Sequence, residues 1–348
     1  MALTIKYVSS QAAGGGTGDS EASPYTLAEA ISWASANSNF KIYVKADGTY
    51  SLSGAQTLGG VASNTAKAYW EGYQTSVGDG ISPTLVNTDN VWTIGSNVEV
   101  RNFIFKASST TFTTTLSDRA IAINTKHINT RSDVWGGKCL HVSKNALCIG
   151  FEADGSASAN TSTQTVVRTY GTVSRGIIRH GTGGVGLEVQ LNYTVYFGEA
   201  SFVAVDGLGL SGSIGIKLLL ENAGAAYRHF VLSSCTVYNT SHGIELGPFN
   251  PDYTSSVPKI VNCLIYNCDY GIYNADATNQ FVSTQANAFG AITTAKYYQI
   301  AEPDDPREVN LTANPFVDTT NTPHDLSLNN NAGGGQLCKE AGIGLPVT

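Results

Sequence analysis

The chain has 348 residues, 42% of them hydrophobic and only 14% charged, with 37 glycines and a formal charge of −7. It is too apolar for a disordered chain, has no apolar run near the ~18 residues of a membrane-spanning helix, and lacks the basic surplus that displaces counterions from nucleic acid. Its length fits two domains or one long all-β fold.

Met1 to Val8 shows no basic segment followed by an apolar one, so no secretory signal is read there. The expected location is a virus particle assembled in the host cytoplasm. Gly14-Gly15-Gly16-Thr17-Gly18 has no Lys-Ser or Lys-Thr after it, and reads as a flexible lead-in rather than a phosphate cradle. Thr26-Leu27-Ala28-Glu29 is a capping box, and Leu27, Ala30, Ile31 and Ala34 follow at helical spacing. They predict an amphipathic helix over 26–36. Lys41–Lys45 alternates as a strand and Ala46–Tyr50 turns. Asn97 to Phe105 reads as one coil of a stack; the course of residues 107–170 is less legible, with Ala157 to Thr165 reading as an extended loop.

The middle of the chain repeats with a period of about 28 residues. Gly186, Gly215, Gly243 and Gly271 each precede an apolar residue of a short alternating segment, as in Gly215-Ile216-Lys217-Leu218 and Gly243-Ile244-Glu245-Leu246. Phe202-Val203 corresponds to Phe230-Val231, Cys235 to Cys263, Tyr238 to Tyr266 and Asn239 to Asn267, with Ser211 one unit earlier. Such a unit cannot bury its own apolar face, whereas stacked units can. Helical solenoids repeat at roughly 33 to 47 residues and propeller blades at about 40. The expected fold is therefore all-β, a right-handed parallel β-helix with its N-terminal end plugged by the helix. The repeated glycines are expected in sharp turns at φ > 0. Asn239 and Asn267 are expected to form a polar ladder, and Cys235 and Cys263 to stack as free thiols. Gly247 to Tyr253 and Gly333-Gly334-Gly335 read as loops.

The runs Ser23 to Ala30 and Ile42 to Tyr50, the units from Phe230 to Asn274, and the closing segments Asn314 to Asp318, Asp325 to Leu328 and Cys338 to Gly342 resemble right-handed parallel β-helix proteins of the pectate-lyase-like superfamily. The resemblance implies the fold. For activity it leaves lyases, hydrolases, adhesins and phage spikes open. It divides the chain into a lead-in (1–25), a β-helix with its capping helix (26–300) and a closing segment (301–348).

A calcium-dependent lyase of this kind needs clustered carboxylates and an Arg or Lys base; no such signature is present. Glu188, Lys217 and Glu245 fall at equivalent positions and read as an alternating salt-bridged ladder rather than a catalytic groove. Hydrolases need two or three acids around one glycosidic oxygen. Asp206 is the best lone candidate. Its register neighbours, Ile177 and Ser234, supply no second carboxylate, and Asp252, Asp304 and Asp305 lie in loops. His127, His141, His180, His229, His242 and His324 lack metal-ligand spacing, and no CxxC occurs. His242 reads as a corner residue. Tyr253, Tyr266, Tyr270 and Tyr273 cluster in one region and read first as ordinary packing on outer faces and corners, the alternative being stacking on sugar rings. No catalytic, cofactor-binding or metal-binding residue is assigned. The expectation is a structural or adhesive β-helix, a bacteriophage surface component of decoration or spike type, without catalysis. Its partners would be other virion proteins, copies of itself as in a homotrimer, or surface glycans, and neither nucleic acid nor membrane. The alternative is a polysaccharide lyase or glycoside hydrolase working in a groove along the β-helix.

Overall fold

The computed structural model describes residues 3–61, 67–131, 137–156, 164–180, 184–191, 197–220, 229–247, 257–275 and 282–343, apart from the side chains at 208, 210 and 211. The chain forms two compact units, Met1–Ser158 and Ala159–Thr348. Each is built of coils whose strands pair in parallel with those of the next coil.

In the first unit the coils begin before the helix. Residues 1–25, set apart above as a lead-in, contain the strand Thr4–Val8, which pairs with Phe40–Lys45. That strand pairs in turn with Ala68–Tyr73, and Ala68–Tyr73 with Val98–Ala107. Phe40, Ile42 and Val44 point inward onto Trp70, while Lys41, Tyr43 and Lys45 alternate outward. The predicted helix is present at Leu27–Ser35. Thr26 accepts from the Glu29 amide (3.2 Å), and Glu29 accepts from the Thr26 amide (2.8 Å). Its buried side is Leu27, Ala30 and Ala34, and Trp33 meets the core residue Phe40 edge-on at 5.3 Å. It thus covers the end of the stack. The glycine run is not a loose lead-in. The Gly15 amide donates to Glu29 (2.6 Å), and Gly18 bonds Ser23 and Tyr7, tying the run to the helix and the first strand.

The segment after residue 107 continues as coils. Ile121–Asn129 pairs with Val98–Ala107 on one side and Leu147–Gly155 on the other. The predicted loop beyond lies at 157–163, outside the described residues, and Thr165 already begins a strand.

In the second unit the repeated glycines stand in one column. The pairs flanking them are Val185↔Ile214, Ile214↔His242 and His242↔Tyr270. They are not at φ > 0, as expected above. They are glycines because two walls of the coil approach closely. A Cβ on Gly243 would sit 2.5 Å from Ile265 Cγ2 and 2.6 Å from the Gly271 carbonyl oxygen. The left-handed bends lie elsewhere and also form columns. One runs through Gly209 (φ 82), Asn239 (61), Asn267 (57) and Ala291 (50); another runs through Arg175 (55), Phe202 (54), Ser234 (53), Asn262 (55) and Ala286 (53). Asn tolerates this region better than most residues because its short side chain bonds locally. The expected ladder is there, with Asn267 Nδ2 donating to Asn239 Oδ1 at 2.9 Å across 28 residues. Its lower neighbour is Gly209 rather than Ser211. The strand Phe197–Leu220 shifts register between Asp206 and Ile214, which adds residues to that coil. For the same reason Phe230 pairs with Gly198, not with the position of Phe202.

Cys235 and Cys263 sit in the core of neighbouring coils as free, buried thiols, and all six cysteines are buried and unbridged. The last coil strand, Val309–Leu311, falls inside the closing segment. The remainder forms an antiparallel pair, Phe316–Asp318 with Asp325–Leu328, then the expected turn at Gly333 and Gly334, and a helix from Gly335 to Glu340 that takes in the last of the three glycines. Residues 248–256 lie outside the described residues.

Candidate functional site

Two places gather the residues singled out above. The first is an outer column of the second unit, read in register as Arg168, Glu188, Lys217, Glu245, Tyr273 and Tyr298. Each side chain projects outward because it alternates with a core residue such as Leu187, Ile216, Ile244 or Ile272. The charged part is an ion-pair ladder, as the spacing implied, but a more buried one. Glu188 is 5% exposed and pairs with Arg168 Nε (2.6 Å). Glu245 is 6% exposed and pairs with Lys217 Nζ and His242 Nδ1, both at 2.8 Å. Burial alone would raise the Glu245 carboxyl, but the bonds from His242 and Lys217 outweigh it and hold it below the ordinary 4.5. A depressed carboxyl stabilises the fold above its unfolded value and loses that contribution as pH falls through the folded value. Wild-type stability should therefore drop on acidification below about pH 4.5 more steeply than that of Glu245→Gln, read by urea titration across pH.

The ladder ends in aromatic rings. His242 stacks on Tyr273 at 3.9 Å and 15°, and Tyr273 stacks on Tyr298 at 4.9 Å and 1°. Tyr270 stands against both tyrosines, 5.1 and 4.9 Å away at angles near 60°. Tyr270 and Tyr273 thus come together as expected, joined by Tyr298, which the repeat did not flag because its coil is shorter. Tyr253 lies outside the described residues, and Tyr266 faces elsewhere.

The second place is Asp206. The register shift aligns it with Arg179 below and Tyr238 above rather than with Ile177 and Ser234. The closing segment folds over this face. Phe316 meets Tyr238 and Tyr266 edge-on at 5.3 and 5.9 Å, and His324 Nδ1 bonds both Asp206 oxygens at 3.0 and 2.9 Å. Asp206 is 1% exposed. A cavity of about 230 Å³ beside it is lined by Ile177, Arg179, Ala204, Asp206, His324, Asp325 and Leu326. Sequence reasoning missed His324 because it lies 118 residues away. Asp206 is thereby a fastening point for the tail.

Of the loop acids, Asp305 is similarly engaged. Asp305 accepts from the Ala286 amide (2.6 Å) and the Arg307 amide (3.0 Å), bonds that outweigh desolvation and lower its pKa. Asp304 is exposed, and Asp252 is outside the described residues. In the first unit a cleft of about 210 Å³ holds Glu71 paired with Lys41 (2.5 Å) and Glu99 paired with Arg101. These acids come from adjacent coils, where Glu71 stands opposite Arg101 and Glu99 opposite Tyr69, and the repeat read in the middle of the chain did not extend to them. His127 is buried between Thr114 and Thr125 hydroxyls, each 2.9 Å away, and burial pushes it down to about 3. Among the described residues no three His, Cys, Asp or Glu side chains gather as a metal would require.

This architecture is that of a right-handed parallel β-helix. Among solved structures, pectate lyase Pel9A superposes with a TM-score of 0.54 over 95% of this chain and 90% of its own, at 12% identity. The endo-xylogalacturonan hydrolase from Aspergillus tubingensis gives 0.34 over 93% and 98% at 12% identity, and ORF18 of Geobacillus virus E2 gives 0.28 over 81% and 56% at 10%. The Pel9A likeness supports the fold alone, and the two looser ones carry no argument. No protein-family model and no curated protein matches the sequence.

Proposed function

We propose that this chain is a structural or adhesive β-helix that performs no catalysis, working as a surface component of a bacteriophage particle alongside other virion proteins or copies of itself. The observation that supports this most is the use to which its acids are put. Glu71 and Glu99 in the first unit and Glu188 and Glu245 in the second each pair with a cation, and Asp206 is held beneath the closing segment by His324. A general acid and its partner need an open position for substrate between them; Glu71, Glu188 and Glu245 instead join coil to coil, Asp206 joins tail to coil, and Glu99 is paired within its own strand. Low charge and a core built from local coils suit a stiff projecting body. The test is turnover and location. Acidic and neutral polysaccharides incubated with the protein should release neither reducing ends nor unsaturated products, and electron microscopy of particles carrying it should place it on their surface. Reproducible release of either product overturns the reading.

A further inference from the structure

We propose that the aromatic end of the outer column is a binding site for a neutral glycan, with one sugar ring lying on the open face of Tyr298 against the wall formed by Tyr270. The proposal rests on the adhesive reading above and deepens it. His242, Tyr273 and Tyr298 form a continuous stack, so both faces of Tyr273 are covered by neighbouring rings. Tyr298 terminates the stack. Among the described residues the aromatic rings that it meets are those of Tyr270 and Tyr273, and the following strand, Val309–Leu311, pairs with Ala288–Gly290, short of this position. The Tyr298 residue is half-buried, its ring is flanked at 62° by that of Tyr270, and among the described residues no further ring stacks on the side away from Tyr273. A flat apolar face with a perpendicular wall suits the C–H face of a pyranose, whose hydroxyls then reach polar groups at the rim. Such groups are present on the same coils. Asp269 is exposed and accepts from Ser241 and Thr293 hydroxyls (3.0 and 2.9 Å).

Charge selects the glycan. The cations in or beside this column, Lys217 and Lys296, pair with Glu245 and with Glu302 and Glu308, and Asp269 is exposed on the same coils, whereas the exposed Lys259 lies on the separate strand Lys259–Val261. A uronate polymer would bring carboxylates toward a column whose described cations, Lys217 and Lys296, are already paired with Glu245, Glu302 and Glu308, and like-charge juxtaposition is costly. Neutral hexose or N-acetylhexosamine chains meet no such barrier.

The full chain should bind at least one of cellohexaose, maltohexaose and chitohexaose in titration calorimetry and leave polygalacturonate unbound. Tyr298→Ala should weaken that binding about tenfold, and Tyr298→Phe should retain it, since the ring rather than the hydroxyl is used. If Tyr298→Ala does not fold, saturation-transfer NMR on the wild type serves instead: irradiating aromatic protons should reach the sugar C–H protons of one terminal ring. Absence of binding to all three oligosaccharides, preference for polygalacturonate, unchanged affinity in folded Tyr298→Ala, or no aromatic transfer would overturn the site. Product release would overturn the adhesive reading instead, so the two failures are separable.

Discussion

Gly243→Ala should destabilise the chain by about 3 kcal/mol, the upper end of what overpacking a close contact costs. The added methyl would lie 2.5 Å from Ile265 Cγ2 and 2.6 Å from the Gly271 carbonyl oxygen. Neither atom is the tip of a flexible side chain. Ile265 is fully buried, and the Gly271 carbonyl belongs to the next coil of the same wall. Relief requires the coils to separate, which breaks parallel backbone hydrogen bonds on both sides. The same argument holds one coil on either side, where a Cβ on Gly215 would stand 2.6 Å from the Gly243 oxygen and one on Gly271 2.5 Å from the Lys296 oxygen. Gly59→Ala, whose nearest neighbour would be Thr57 Cγ2 at 3.3 Å, is the control and should change stability by no more than about 0.5 kcal/mol. Urea denaturation followed by tryptophan fluorescence measures both. Equal stability of Gly243→Ala and wild type would remove the close-approach explanation for the glycine column.

The second large effect is expected at the tail. Asp206→Ala removes the acceptor of His324 and should cost about 3 kcal/mol, the lower end for breaking a buried pair from one side. The loss should be local. Phe316, Leu326, Cys338 and Ile343 share one apolar cluster with Ala204, Tyr238 and Leu264, so loosening His324 exposes that cluster from its edge. Limited proteolysis should then cut within residues 314–330 at protease levels that leave the wild type whole, before the coils themselves unfold. Phe316→Ala should give the same cleavage pattern by emptying the wedge between Tyr238 and Tyr266. An Asp206→Ala chain with wild-type resistance would mean that the apolar cluster alone holds the tail.

These expectations mark where one-dimensional reading succeeded. The helix at Leu27–Ser35 was legible to within a residue because Thr26 and Glu29 carry its cap locally. The stacking of Gly186, Gly215, Gly243 and Gly271, the Asn239–Asn267 ladder and the Glu188–Lys217–Glu245 column were legible because equal spacing along a coil becomes vertical neighbourhood in space. Where coil length changes, the same inference fails. The extra residues between Asp206 and Ile214 moved Asp206 opposite Tyr238, Gly209 beneath Asn239 and Gly198 beside Phe230. The glycines were placed correctly and explained wrongly. Their role depends on Val237, Ile265 and Phe289 approaching from the opposite wall, a distance that no spacing encodes.

The amino-acid order alone thus settled the coil, its repeat and its N-terminal plug, since these depend on contacts within one turn or between identical successive turns. What faces what across unequal or distant segments was decided only by the folded chain. His324 reaches Asp206 because the tail is brought back by burial of Phe316 and Leu326, and Tyr298 joins Tyr270 and Tyr273 because its coil is shortened. Burial is non-directional and leaves no periodic trace of the partner it selects.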